Sequence, residues 1–109
     1  AYTVVAEKYQ AMVSLGMVNT RLKDYFDLWV LMKHVSFDPN ILREAIAATF
    51  ARRKTPMPQE LPLGLSGAFT LDATKITQWK AFLSKNKLQA PPLDELVSEL
   101  RPLLWGNNA

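Results

Sequence analysis

Cysteine is absent from the 109 residues, so no disulfide braces the chain and no thiolate can hold a metal. A single histidine, His34, removes the common zinc-binding spacings as well. No metal site is expected in this chain. Long apolar runs are missing too: none approaches the roughly 18 to 20 residues that a membrane span needs. The opening residues lack the basic, apolar and small-residue order of a secretory signal. A soluble, cytoplasmic protein with no membrane partner is the expectation. Charge of one sign is scarce, because 13 Lys and Arg stand against 10 Asp and Glu for a net +3. That balance suits a phosphate-bearing partner but falls short of a dedicated nucleic-acid-binding stripe.

What is present is apolar material. Hydrophobic residues make up 49% of the chain, enough for one core at this length, and one domain is the simplest organisation. The chain opens on Ala1-Tyr2-Thr3-Val4-Val5 with no polar tail, a start expected of a piece of a larger protein.

The periodicity predicts an all-α bundle of about five helices. Val5, Tyr9, Met12 and Val13 recur at helical spacing over residues 4–15, and Gly16 stands where a C-terminal cap would end the run. Asn19 and Thr20, both good N-cap types, precede a second helix from 21 to about 35 that closes on Lys33 and His34, cations suited to the negative helix end. Asp38 followed by Pro39 starts a third, with Ile41, Leu42, Ala45, Ile46 and Thr49 as its stripe, running to about residue 53. Pro56, Pro58, Pro62 and Gly64 predict an extended strap over the surface across residues 55–66. Asp72 caps a fourth helix with Ile76, Trp79, Phe82 and Leu83 on its apolar face. A fifth follows Pro91 and Pro92 with Leu93, Leu96, Val97, Leu100 and Leu104, and Pro102 should end or kink it. Trp29, Trp79 and Phe50 are the expected core. No alternating segment is long enough for a strand, and there are no internal repeats.

The second helix carries the informative charges. On a wheel of 100° per residue, Leu22, Tyr25, Phe26, Trp29 and Met32 cover one broad side, while Lys23, Asp24 and Asp27 share an arc on the other. Its later half is apolar all round, so the helix is mostly buried and its acids either line a cleft or pair with cations. Lys8, on the flank of the first helix, can reach Asp24 or Asp27 if the two helices are antiparallel. On the residues alone, a salt-bridged face of Lys8, Arg21, Lys23, Asp24 and Asp27 is the commoner outcome, and a catalytic or ligand site is the other.

The same residues carry a family resemblance. Ala6-Glu7-Lys8, then Arg21-x-Lys23-Asp24-x-x-Asp27-Leu28, resemble the third and fourth motifs of AbiEii/AbiGii-type nucleotidyltransferases, the toxins of type IV toxin-antitoxin and abortive-infection systems of phage defence. Ala48-Thr49-Phe50-Ala51-Arg52-Arg53 with Thr55-Pro56, Trp79-x-x-Phe82-Leu83 and the closing leucine-rich helix follow in the same order. The resemblance implies the helical C-terminal domain of a larger nucleotidyltransferase. The Gly-Ser and Asp-x-Asp motifs of that family's N-terminal core do not occur here, so the segment alone is expected to be inactive. It implies transfer of a nucleotide from a nucleoside triphosphate to an acceptor, tRNA for some members, with Lys8 contacting phosphate and Asp24 as the catalytic carboxylate. Lys23 and Asp27, with Lys8, would hold the nucleotide. The Mg2+ ions and triphosphate belong to the complete protein, and its partners would be its own N-terminal core, an antitoxin and an RNA acceptor.

Other candidates have plainer readings. Arg52, Arg53 and Lys54 could touch RNA, yet cations in a last helical turn are what the macrodipole favours. His34 is expected to be exposed, and Trp29, Trp79 and Phe82 to be core rather than a base-stacking platform. Beside the enzyme stands an alternative: a non-catalytic helical module that docks an antitoxin or partner subunit.

Overall fold

The computed structural model describes residues 1–106. Six α-helices follow one another among them: α1 (Tyr2–Leu15), α2 (Leu22–His34), α3 (Pro39–Arg52), α4 (Gly67–Thr70), α5 (Ala73–Lys85) and α6 (Leu93–Leu104). Two 3-10 turns, Gly16–Val18 and Leu63–Leu65, interrupt the connections, and no strand occurs among the described residues. None of these helices is long and apolar enough to cross a membrane.

Helix ends follow local chemistry. The Asp38 carboxylate accepts from the Asn40 and Ile41 amides at 2.8 and 3.2 Å, with Pro39 at the position that needs no donor. Asp72 accepts from the Lys75 amide at 3.1 Å to start α5. Gly16 ends α1 in the left-handed region, φ 55°, and its amide closes on the Met12 carbonyl. The start of α2 departs from expectation: neither Asn19 nor Thr20 caps it, Arg21 holds the cap position, and the Asn19 Oδ1 instead accepts from the Arg21 amide at 2.8 Å.

The first helix begins at Tyr2, two residues before its predicted start, because Tyr2 is tied down: its hydroxyl accepts from the Asp38 amide at 2.8 Å and its ring meets Phe37 edge-on at 5.2 Å. Packing of α1 along α3 forms the larger layer, with Tyr9 against Phe50 at 5.6 Å. The α2 helix leans on α5 and α6, and Tyr25 stacks on Phe69 at 5.4 Å. Leu28, Leu96, Val97 and Leu100 are fully buried between them. Each such aliphatic side chain withdrawn from water stabilises the fold by about 1.5–3 kcal/mol.

Several expectations need correction. Phe50 and Trp79 are core, but Trp29 is only half-buried, with Lys33 Nζ 5.1 Å above its ring, because no helix covers that side of α2 fully. Ile41 is 49% exposed, so the α3 stripe is Leu42, Ile46, Thr49 and Phe50. The short α4 was not expected; buried Phe69 and Thr70 hold it in place. Helix α6 runs through Pro102 to Leu104, since Leu104 is buried and Trp105 packs on the core beyond the proline.

The largest correction concerns the strap. Its middle is exposed as predicted, but Pro62, Gly64 and Leu65 are buried. Gly64 lends its carbonyl to the Tyr25 hydroxyl at 2.8 Å, and Leu65 lends its own to Arg101 Nε at 2.7 Å. Backbone carbonyls taken out of water require such donors. A Cβ on Gly64 would stand 2.9 Å from the Tyr25 Oη and 3.4 Å from the Met12 carbonyl oxygen. Tyr25 is fully buried and cannot swing away. Gly64→Ala should therefore cost about 1–3 kcal/mol through overpacking, read as a lower urea midpoint at an unchanged slope.

Candidate functional site

Helices α1 and α2 are joined by the 3-10 turn Gly16–Val18 and run back along each other. On α1, Glu7 and Lys8 are neighbours in sequence and so project about 100° apart. Glu7 turns to α3, where Arg52 and Arg53 Nη2 atoms both lie 3.4 Å from its Oε2. Arg53 also donates to Gln10 Oε1 at 2.9 Å. These arginines are thus engaged in joining α3 to α1. Lys8 turns to α2.

The Lys8 Nζ lies 3.0 Å from Asp24 Oδ1 and 3.2 Å from Asp27 Oδ2. Three residues apart on one helix, the two acids share a face, and the lysine bridges them. Asp24 sits in the first turn of α2, where the positive helix end favours a carboxylate. Lys23 Nζ reaches Asp27 Oδ2 at 2.8 Å, four residues on. It touches neither Lys8 nor Asp24 and is 73% exposed. Lys8, Asp24 and Asp27 therefore come together as the sequence suggested, and Lys23 joins only through Asp27.

Burial grades the cluster. The Asp24 side chain is 8% exposed, Lys8 21% and Asp27 24%. Arg21 Nε lies 2.9 Å from Asp24 Oδ2, close enough for charge attraction, yet that oxygen has no aligned hydrogen-bond donor. Arg21 is 55% exposed and forms a cover over Asp24. Three cations face two carboxylates, so the cluster keeps one positive charge. Beside it, Arg21 and Lys23 also line an open cleft of about 470 Å³, with Gln78, Phe82 and Lys85 of α5 opposite.

The electrostatics hold both charges in place. Burial alone would lower the Lys8 pKa, but the hydrogen bonds and charges of Asp24 and Asp27 outweigh it and raise the ammonium above its usual 10.5. Burial would raise the Asp27 carboxyl, and Lys23 and Lys8 outweigh that and hold it below its usual 3.8. Asp27 thus stabilises the fold fully above pH 3.8, and that contribution is lost as pH falls through its depressed folded value. Lys8 contributes fully below pH 10.5, and its share is lost as pH rises through its raised folded value. Urea midpoints should show an alkaline decline that Lys8→Met reduces, the buried Tyr9 and Tyr25 phenols keeping the remainder, and an acid decline that Asp27→Asn reduces. Burial also pushes the Tyr9 phenol up to about 12 and shifts Tyr25 in the same direction, so Tyr25 stays a donor to Gly64.

Among the described residues no group of three or more His, Cys, Asp or Glu side chains could hold a metal ion. Asp24 and Asp27 are already bridged by an ammonium. The cluster does not fit a divalent cation, and its chemistry is that of a lysine and a carboxylate. His34 is exposed in the last turn of α2.

One neighbour of the site escaped sequence reading. Lys75 is 5% exposed, and its Nζ donates to the Asn19 carbonyl at 2.6 Å, just ahead of Arg21. Its position four residues before Trp79, on the apolar face of α5, was the available signal.

Among curated proteins and solved structures, no match to the chain was found. The model of one protein family does match, over residues 1–99, and its description is "Nucleotidyl transferase AbiEii toxin, Type IV TA system". That span holds α1 to α5, most of α6 and every residue of the Lys8 cluster. The chain belongs to the AbiEii family of nucleotidyl transferase toxins of type IV TA systems.

Proposed function

We propose that this chain is the helical C-terminal half of a nucleotidyltransferase toxin and lends a lysine and a carboxylate to the reaction of the complete protein. The observation that carries this reading is the Lys8 ammonium held between Asp24 and Asp27, with net positive charge and partial access to solvent. In the transfer, an acceptor hydroxyl oxygen bonds to the α-phosphorus of a nucleoside triphosphate. The bond from that phosphorus to the bridging oxygen breaks, and pyrophosphate leaves with the electron pair. Lys8 offsets the charge that builds on the phosphate oxygens. Asp24 takes the hydroxyl proton, for which Arg21 must swing off Oδ2. Asp27 and Lys23 orient Lys8, and Arg21, Lys23 and Lys85 give the cleft its attraction for the phosphates of nucleotide or tRNA acceptor.

The test is label transfer. The complete protein, incubated with each α-labelled nucleoside triphosphate and total RNA, should move label onto an acceptor. Lys8→Gln keeps a donor but loses the charge, and should lower kcat and kcat/KM together about tenfold or more. Absence of transfer from all four nucleotides would overturn the reading.

A second reading, a module that docks an antitoxin or partner subunit, draws on Val18 and Leu71, which are 78% and 61% exposed. Under that reading Val18→Asp weakens complex formation with the antitoxin, and Lys8 and Asp24 variants leave every activity of the toxin intact.

A further inference from the structure

An ammonium buried without a carboxylate is costly, and an apolar side chain of like volume would serve a core better. Lys75 is such a group. It is 5% exposed, and among the described residues no acid lies within ion-pair distance of it. Its compensation is one short hydrogen bond, 2.6 Å to the Asn19 carbonyl, and the Phe69 ring 4.8 Å beneath the charge.

Asn19 is the hinge between α1 and α2. It is 1% exposed, its amide donates to the Gly16 carbonyl at 3.2 Å and its Oδ1 accepts from the Arg21 amide at 2.8 Å. No side chain caps α2. The start of that helix is therefore fixed through Asn19, and Asn19 is fixed from outside by Lys75. At its other end Lys75 is anchored too, because its own amide is the one Asp72 caps.

We infer that Lys75 is a positioning residue for the Lys8–Asp24 site: its buried ammonium clasps the Asn19 carbonyl and so sets the first turn of α2, from which Asp24 faces Lys8. This rests on the reading of Lys8 and Asp24 as reacting groups. The clasp joins the N-terminal turn of α5 to the connection just ahead of α2, so a shift at either end moves Asp24 relative to Lys8. Misplacement of about 1 Å is enough to slow a reaction severalfold to a hundredfold.

The test uses Lys75→Met and Lys75→Arg in the complete toxin, with hydrogen exchange followed by mass spectrometry and steady-state nucleotide transfer. Lys75→Met should exchange about tenfold faster over residues 19–25, with the C-terminal half of α2 unchanged. Its kcat should fall about tenfold, with the triphosphate KM within about twofold of wild type. Lys75→Arg, which keeps a charged donor, should recover both in part. Unchanged exchange over residues 19–25 in Lys75→Met overturns the clasp, even if Lys8 and Asp24 variants are inactive. Faster exchange with full activity leaves the clasp standing but overturns its positioning role, while Asp24 as a reacting group is decided separately by Asp24→Asn. If neither variant folds, Lys75 is a structural residue only and the inference is overturned.

Discussion

Asp24→Asn in the complete toxin is expected to lower kcat for nucleotide transfer by about 10²- to 10⁴-fold, the range associated with loss of a positioned general base. Asparagine fills the same volume and keeps an oxygen for the Lys8 Nζ, now 3.0 Å away, but it cannot take a proton. The fold should tolerate it, since the exchange removes charge from a side chain that is 8% exposed and leaves its shape. Asp27→Asn is the control. That carboxylate is three times as exposed and shares its charge between Lys8 and Lys23, so a loss of about tenfold or less is expected there. Equal effects of the two changes, or full activity in the Asp24→Asn variant, would show that the cluster is an ion-paired face and nothing more.

Lys8→Met should cost about 3–5 kcal/mol of stability, because it strands a buried carboxylate. The low end of that range applies, as Arg21 stays 2.9 Å from the other oxygen of Asp24. Pairing the change with Asp24→Leu replaces both charges by apolar volume and should recover most of the loss, as such exchanges of buried ion pairs commonly do. Transfer activity should stay absent in the double variant. Stability and catalysis are thereby separated in one cycle: urea midpoints that return while activity does not identify the pair as functional, and activity that returns with the midpoint identifies it as structural.

Much of the scaffold was legible where a local rule acts alone. Asp38 with Pro39, Asp72 and Gly16 set helix ends through bonds within four residues, and they do so in the structure. The approach of Lys8 to Asp24 and Asp27 was legible for a related reason. A short turn between two amphipathic helices leaves few ways to oppose their polar arcs. What was not legible depends on distant partners. Nothing within residues 55–66 reveals that Gly64 accepts from a tyrosine 39 positions earlier, and four breakers in that stretch point to an exposed strap. Trp29 is misplaced by periodicity because a helix that is apolar nearly all round gives no sign of which side lacks a cover. Lys75 escapes for the opposite reason: a lone cation on an apolar face is ordinarily a residue whose stem is buried and whose head reaches water.

The half-buried placement of Trp29 gives α2 a built-in reporter. Its indole shares the helix with Asp24 and Asp27, lies under the Lys33 ammonium and has a ring nitrogen without a partner, whereas Trp79 is sealed in the core and bonded to the Pro91 carbonyl at 3.0 Å. One tryptophan is thus sensitive to tilting of the helix that carries the acids, and another is held constant as a reference. Under the proposed function, nucleotide engagement at Lys8 should shift the Trp29 emission once Trp105, the third tryptophan of the chain, is replaced by phenylalanine.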